Sequence, residues 1–462
     1  MKCPSFNFFV QKFLKTQKNS LHLNISYTMS ETATSTDPDT KSKSKKTSPS
    51  DSQPSRPVSI IVQDDGSQSE SGSRPANNEG SESEFSSRVG DNEGSEISTV
   101  PDKYGFLGGQ QYKAYPDNKK LSPKVVSQLL KREKKWIAMI NAWDEYMDKH
   151  YKKVRDRCRK GIPRKMRPKA WFYLCGGHTL KHHHPPEMYH EFLKKEADPK
   201  YLADIEKDID RQFFHEMFLS TGDEEKPPPG KVALVNILKA YSIVNPVVGY
   251  CQAQAPIAAF LLMHMPEEDA FWCLYSICDK YLKGYYSPGM EMIQLDGDIL
   301  FSLLKKVFPH IHKHLMKQQL DPIMYMTEWF LCAFVRTLPW ETLLRVWDMF
   351  LCEGVKVFFK TALVIIRMNL PYKTYPKLKK EFPSMYETLQ ALRHPVQERL
   401  EEETVVQQIL NLNLTVEDFQ YEHQRQTLKR KKKLQLKTTA QAAQKPGDDH
   451  EAENSTSAEP PR

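Results

Sequence analysis

The sequence predicts an all-α domain held between polar flanks. Three observations carry this: apolar residues recur at helical intervals, strand-type alternation is almost absent, and residues that end helices recur at ordinary helix spacing. The apolar fraction of 39% in 462 residues is unevenly spread. The core therefore falls to roughly the middle 250 to 300 residues, enough to bury most of their surface.

Residues 1–103 read as a disordered tail. An early Phe-rich patch is interrupted by Gln11, Lys12 and Lys15, leaving no apolar run long enough for a signal sequence, so secretion is not expected. Met29 precedes a polar stretch and is a second candidate start, which the mass of the native N-terminus decides. Residues 30–101 carry few large apolar groups, too few to offset the entropy of ordering.

Residues 104–160 form a helical lead-in. Ser122 followed by Pro123 has the pattern of an N-cap with proline at the first helical position. Beyond it Val126, Leu130, Ile137, Ile140, Trp143 and Met147 fall on one expected stripe. Residues 161–400 are the main domain. Leu300, Leu303, Leu304 and Val307 mark an amphipathic helix that Pro309 ends or kinks, and further breaks are expected at Pro246, Pro288, Pro339 and Gly354. No fixed-period repeat points to a solenoid. Over 401–437, Thr415 to Asp418 has the capping-box pattern and opens a polar helix ending in the basic run 429–433. Residues 438–462 return to disorder composition.

Several function classes drop out. The most apolar stretch, 255–265, is about half of a bilayer span. A net charge of +8 is modest for this length and is concentrated near the C-terminus, so nucleic-acid binding is not expected. Cys3, Cys158, Cys175, Cys251, Cys273, Cys278, Cys332 and Cys352 form no C-x-x-C pair and read as reduced core residues of a cytoplasmic protein. His178 with His182, His183 and His184 reads as an exposed loop beside Pro185 and Pro186, without the ligands a metal needs. No phosphate-cradling loop, G-x-S-x-G or H-E-x-x-H is present, so any nucleotide chemistry is done in trans. The basic run 429–433 admits three readings: a solvated helix end, contact with an anionic membrane, or a nuclear import signal.

Two segments could carry chemistry. In the first, helical spacing puts Ile205, Asp208 and Arg211 on neighbouring turns, where Asp208 can direct the Arg211 guanidinium or simply form a surface ion pair. In the second, Tyr250 and Gln252 leave a loop directly before an apolar helix. That position suits presentation of the Gln252 amide to a partner, or local capping. Either segment alone is compatible with a purely structural role.

Taken in order, Arg167 with Trp171, then Ile205/Asp208/Arg211, then Tyr250/Gln252 resemble the R-x-x-x-W, I-x-x-D-x-x-R and Y-x-Q motifs of TBC-domain Rab GTPase-activating proteins. Thr327 to Phe330, Leu338-Pro339, Arg345 to Asp348 with Trp347, and Glu353-Gly354 resemble the family's later landmarks. The resemblance covers about half the chain. Tyr285-Tyr286, Gln294 to Gly297 and His215 to Phe218 resemble the subgroup whose members include cortical, PDZ-scaffold-associated relatives. The terminal Pro-Pro-Arg462 lacks the apolar residue a PDZ pocket takes, which counts against PDZ binding.

The resemblance implies a GTPase activator with no nucleotide site of its own, in which Arg211 is an arginine finger and Gln252 a glutamine finger. GTP and Mg²⁺ would be bound by a Rab small GTPase, and the effect would fall on vesicle trafficking. Asp208 would orient Arg211, and Tyr250 would brace the loop of Gln252. Arg167, Trp171, Trp347 and Asp348 are assigned to the scaffold. The alternative is a Rab-binding adaptor without turnover.

Overall fold

The computed structural model describes residues 101–107, 122–213, 215–218, 226–287 and 289–443, with side chains to 436. Of the disorder expected over 1–103, residues 1–100 lie outside them, as do the expected break at Pro288, Cys3, Met29 and residues 444–462, whereas Asp102 accepts from the Tyr104 and Phe106 N–H groups and Lys103 pairs with Glu341 at 3.2 Å, so the ordered part starts ahead of Tyr104. The described residues form no strand; one isolated bridge joins Phe106 to His215.

The helices are α1 (Pro123–Asn141), α2 (Trp143–Lys149), α3 (Tyr151–Arg159), α4 (Arg167–Cys175), α5 (Gly177–His183), α6 (Met188–Lys194) and α7 (Pro199–Ile209). Then come α8 (Pro229–Val244), α9 (Gln254–Leu262), α10 (Glu267–Ser276), α11 (Glu291–Val307), α12 (Pro309–Lys317), α13 (Ile323–Leu331) and α14 (Trp340–Glu353). The series ends with α15 (Lys356–Asn369), α16 (Tyr375–Glu381), α17 (Met385–Arg393), α18 (Glu402–Asn411) and α19 (Val416–Ala443). The fold is all-α.

Proline and glycine set several of these limits, as the sequence predicts. Pro309 starts α12 after Phe308, Pro339 caps α14 at its N-terminus, and Gly354 ends α14 at a φ of 82° that disfavours a side chain. Ser122 caps α1, accepting a hydrogen bond from the Val125 backbone N–H at 3.4 Å. Thr415 and Asp418 close the reciprocal capping box at 3.0 and 3.3 Å.

At the centre lie α9, every residue of which is buried, and α14, buried from Thr342 through Glu353. The indoles of Trp171 and Trp347 meet at 5.7 Å between centroids, with Phe260 at 4.6 Å from Trp347. The subgroup landmarks Tyr285 and Tyr286 are core residues, donating to Asp296 and to the Leu331 carbonyl. No helix of the described residues is long and apolar enough to cross a membrane.

Four expectations are corrected. The buried face of α1 is Trp136, Met139 and Ile140, while Val126, Leu130 and Ile137 are exposed. Helix α1 stops at Asn141, so Trp143 and Met147 belong to a new helix with its own phase. The segment 401–437 is two helices, and α18 buries Val405, Val406 and Ile409 against α14 and α15. Helix α19 continues past 437 to Ala443 through the good helix formers Ala440, Gln441, Ala442 and Ala443. His182 and His183 end helix α5 rather than lying in a loop, and the Nδ1 atoms of both, like that of His184, bond the carbonyls four residues back.

Candidate functional site

Helix α7 starts at Pro199, where Asp198 accepts from the Lys200 N–H at 2.9 Å, and runs for eleven residues. Its apolar side buries Ile205 and Ile209, which fixes the rotation of the helix and turns Asp208 inward at its C-terminal end. Arg211 sits just past the end, on a turn closed by its own N–H to the Asp208 carbonyl at 3.2 Å.

The second segment arrives from α8. Asn245 ends that helix, and its carbonyl accepts from the N–H groups of Val248 and Gly249, at 3.2 and 2.8 Å. Gly249 then takes a φ of +61° against the ring of Tyr201 on α7, where a Cβ would lie 2.1 Å from Cζ. Glycine is required here both by the backbone conformation and by the close approach. The chain re-enters helix at α9, and the buried Gln254 accepts from the Cys251 N–H at 3.1 Å, bracing the loop from below.

The two segments meet at one carboxylate. Asp208, 5% exposed, accepts from the Tyr250 hydroxyl at 2.7 Å on Oδ2. Its Oδ1 accepts from the Gln252 amide at 3.1 Å and from Arg211 Nη1 at 3.5 Å. A buried carboxylate is tolerated only when its lone pairs are used, and here three donors from two segments use them. Burial, and then the Asp208 charge, push the Tyr250 hydroxyl pKa well up, so it remains a donor at any physiological pH.

Arg211 keeps 44% of its side chain exposed, and its ion-pair contact is long. The guanidinium is thus directed but open to a partner. Its backbone is held from a third element: Arg336, on the turn between α13 and α14, donates to the Arg211 carbonyl at 3.2 Å.

Arg167, Trp171, Trp347 and Asp348 form a different cluster. Asp348 is fully buried and accepts from the Ile162 N–H at 2.7 Å, from Trp171 Nε1 at 2.9 Å, and from Arg167 Nε and Nη2 at 3.1 Å each. Trp347 donates to the Ala333 carbonyl at 3.0 Å, pinning the turn that carries Arg336. Among the described residues this hub exchanges no hydrogen bond with the Asp208 cluster.

Sequence reasoning placed Asp208 beside Arg211 but missed that the same carboxylate also holds Tyr250 and Gln252. It also missed Tyr201, Gln254 and Arg336. Only the second Gln of the Tyr250-x-Gln-x-Gln254 run offered a local signal. In the basic run, Arg430 is bound to the domain, donating to Asp298 and to the Gln294 carbonyl at 2.7 Å each, while Lys429 and Lys431 to Lys433 are exposed.

The Rab-GTPase-TBC domain family is matched over residues 164–374, a span that contains both clusters. TBC1 domain family member whacked of Drosophila melanogaster is 54% identical over 73% of this chain and 89% of its own length. TBC1 domain family member 10A of Mus musculus is 49% identical over 70% of this chain and 62% of its own. TBC1 domain family member 10B of the same organism is 50% identical over 68% of this chain and 38% of its own. A relative matched along nearly its whole length at this identity shares its fold and domain, and the chain belongs to the TBC-domain Rab GTPase-activating protein family.

Proposed function

We propose that this chain accelerates GTP hydrolysis on a Rab-type small GTPase by placing Arg211 and Gln252 in the partner's nucleotide site, and thereby limits a vesicle-trafficking signal. The observation that carries the reading is the shared Asp208 carboxylate, which ties the two side chains to one rigid point.

Phosphoryl transfer to water needs neutralisation of charge on the transferred oxygens and an oriented nucleophile. Arg211 supplies the first and Gln252 the second. GTP and its Mg²⁺ are the partner's. An arginine delivered in trans is worth about 10³ to 10⁵ in rate, about 4 to 7 kcal/mol of barrier. Asp208 and Tyr250 are positioning residues: they hold the two fingers close to the required geometry, so less order has to be created on association. Ile205 sets the rotation of α7.

Single-turnover GTP hydrolysis by a panel of purified Rab proteins tests the proposal. Acceleration of one or a few of them, lost in Arg211→Lys and in Gln252→Ala while binding persists, is expected. Binding without acceleration would replace the activator reading with the adaptor reading.

A further inference from the structure

Far ahead of α4 in sequence, residues 102–106 fold onto the segment that follows Arg211. We propose that they are a positioning strap: by anchoring the chain just downstream of Arg211, they fix the direction in which its guanidinium is offered to a partner. The inference deepens the arginine-finger reading and rests on it.

The strap is a turn with one shape. Asp102 accepts on Oδ1 from the N–H groups of Tyr104, at 2.8 Å, and Phe106, at 2.9 Å. Its backbone closes the turn, donating to the Phe106 carbonyl at 2.8 Å and accepting from the Gly105 N–H at 2.9 Å. Gly105 takes a φ of +93°, and a Cβ there would collide with the His215 ring. Both features call for glycine.

The turn presents one ring and two carbonyls to the Arg211 segment. Phe106, 2% exposed, lies edge-on to Trp340 at 4.8 Å, to His215 at 5.4 Å and to Phe213 at 6.3 Å. The Gly105 carbonyl accepts from the Glu216 N–H at 2.8 Å, and the Tyr104 carbonyl accepts from His215 Nε2 at 2.8 Å. His215 Nδ1 accepts in turn from the Met217 N–H at 3.2 Å, which requires the neutral ring with its proton on Nε2. Burial lowers the pKa of this histidine and so favours that form. The outer side of the strap is tied to the start of α14, where Glu341 accepts from Lys103 at 3.2 Å and from the Tyr104 hydroxyl at 3.0 Å.

Arg211 is held on its upstream side by α7 and at its carbonyl by Arg336. Downstream, the chain is fixed by Phe213, packed on Phe106 and Trp340, and by His215 and Glu216, both bonded to the strap. A guanidinium that is 44% exposed and makes one long ion pair takes its direction largely from its backbone. Unseating the strap removes two hydrogen bonds and a shared ring contact from that backbone, which eases local opening around Arg211.

The test uses the full chain with Gly105→Ala, whose Cβ does not fit against His215, and Tyr104→Phe, which removes one bond to Glu341 and should melt like the parent. Two quantities are read: stimulated GTP hydrolysis on a responsive Rab, with and without an added Arg211→Ala change, and the rate at which trypsin cuts the folded chain after Arg211. Gly105→Ala should lower kcat about tenfold, with KM for the Rab within about twofold, and should cost nothing further once Arg211 is alanine. It should also raise cleavage after Arg211 about tenfold, and Tyr104→Phe should move both quantities the same way by about two- to threefold. An equal loss in the Arg211→Ala background, a raised KM with unchanged kcat, or parent-like cleavage in both variants would overturn the proposal. If the parent stimulates no Rab, the activity reading fails instead, and the cleavage rates alone decide whether the strap orders Arg211.

Discussion

Asp208→Asn is the most informative single change at the candidate site because it keeps the shape and removes the charge and one acceptor. In the parent, Oδ2 serves Tyr250 while Oδ1 serves Gln252 and Arg211. If the asparagine oxygen stays with Tyr250, its amide N–H group faces the Gln252 amide and the Arg211 guanidinium, donor against donor. Hydrogen bonds to a charged group contribute about 1.5 to 3 kcal/mol against about 0.5 to 1.5 for neutral ones. The Arg211 contact, long and largely exposed, adds little to stability. Roughly 1 to 2 kcal/mol of stability should go, a melting shift of a few degrees in a domain of this size. The functional loss should be larger, because misplacing a reacting group by about 1 Å costs about 10²-fold. We expect stimulated GTP hydrolysis to fall roughly 10- to 100-fold at a temperature where the variant is fully folded. Tyr250→Phe should cost less alone, and the double change should cost less than the sum of the two, since both act through one side chain. Stimulation by Asp208→Asn within about twofold of the parent would refute the idea that this carboxylate positions the fingers.

Other outcomes follow from the packing. Asp348→Ala leaves the Arg167 guanidinium buried without its counter-charge and should destabilise by about 3 to 5 kcal/mol, read as a large fall in melting temperature. Trp347→Ala should also act on stability first; an unchanged midpoint with lost activity would move that residue from the scaffold to the site. Gly249→Ala must strain a left-handed backbone and displace the Tyr201 ring, at about 1 to 3 kcal/mol, with lost stimulation exceeding lost stability. Burial pushes the Asp296 carboxyl up to about 7, only partly offset by the hydrogen bond from Tyr285. A carboxyl raised in the folded state penalises folding once it ionises there, so its contribution worsens as pH climbs from about 4 to about 7 and is constant above. Asp296→Asn should remove that component, and a parent-minus-variant stability difference that is flat across this window would count against it.

Much of the fold is legible in the sequence because helix punctuation is local. Ser122, Pro309, Pro339, Gly354 and the Thr415 box act on neighbouring backbone groups, and each does in the structure what its chemistry predicts. The buried face of α1 differs from the sequence reading because only the C-terminal part of the helix packs on the domain, through Trp136, Met139 and Ile140, while Val126, Leu130 and Ile137 face out; Trp143 and Met147 follow the break at Ala142 in a new phase. The candidate site is legible as an order of residue types, but not as a geometry. Asp208 meets Tyr250 and Gln252 across 42 and 44 positions, and Arg336 reaches Arg211 across 125. No periodicity encodes such contacts. They arise from the packing of α7, α8 and α9 and from a turn positioned by Trp347. The folding of α18 onto α14 and α15 was hidden for the same reason: a short amphipathic segment does not reveal which surface it will cover.

Whether Arg211 and Gln252 act in trans on a GTPase is measured most directly by single-turnover hydrolysis on a Rab panel with Arg211→Lys and Gln252→Ala. Strong acceleration of one or a few Rab proteins that collapses in both variants is expected, with melting temperatures within a few degrees of the parent. Acceleration that survives either substitution, or a folded parent chain that accelerates none of the panel, would contradict it.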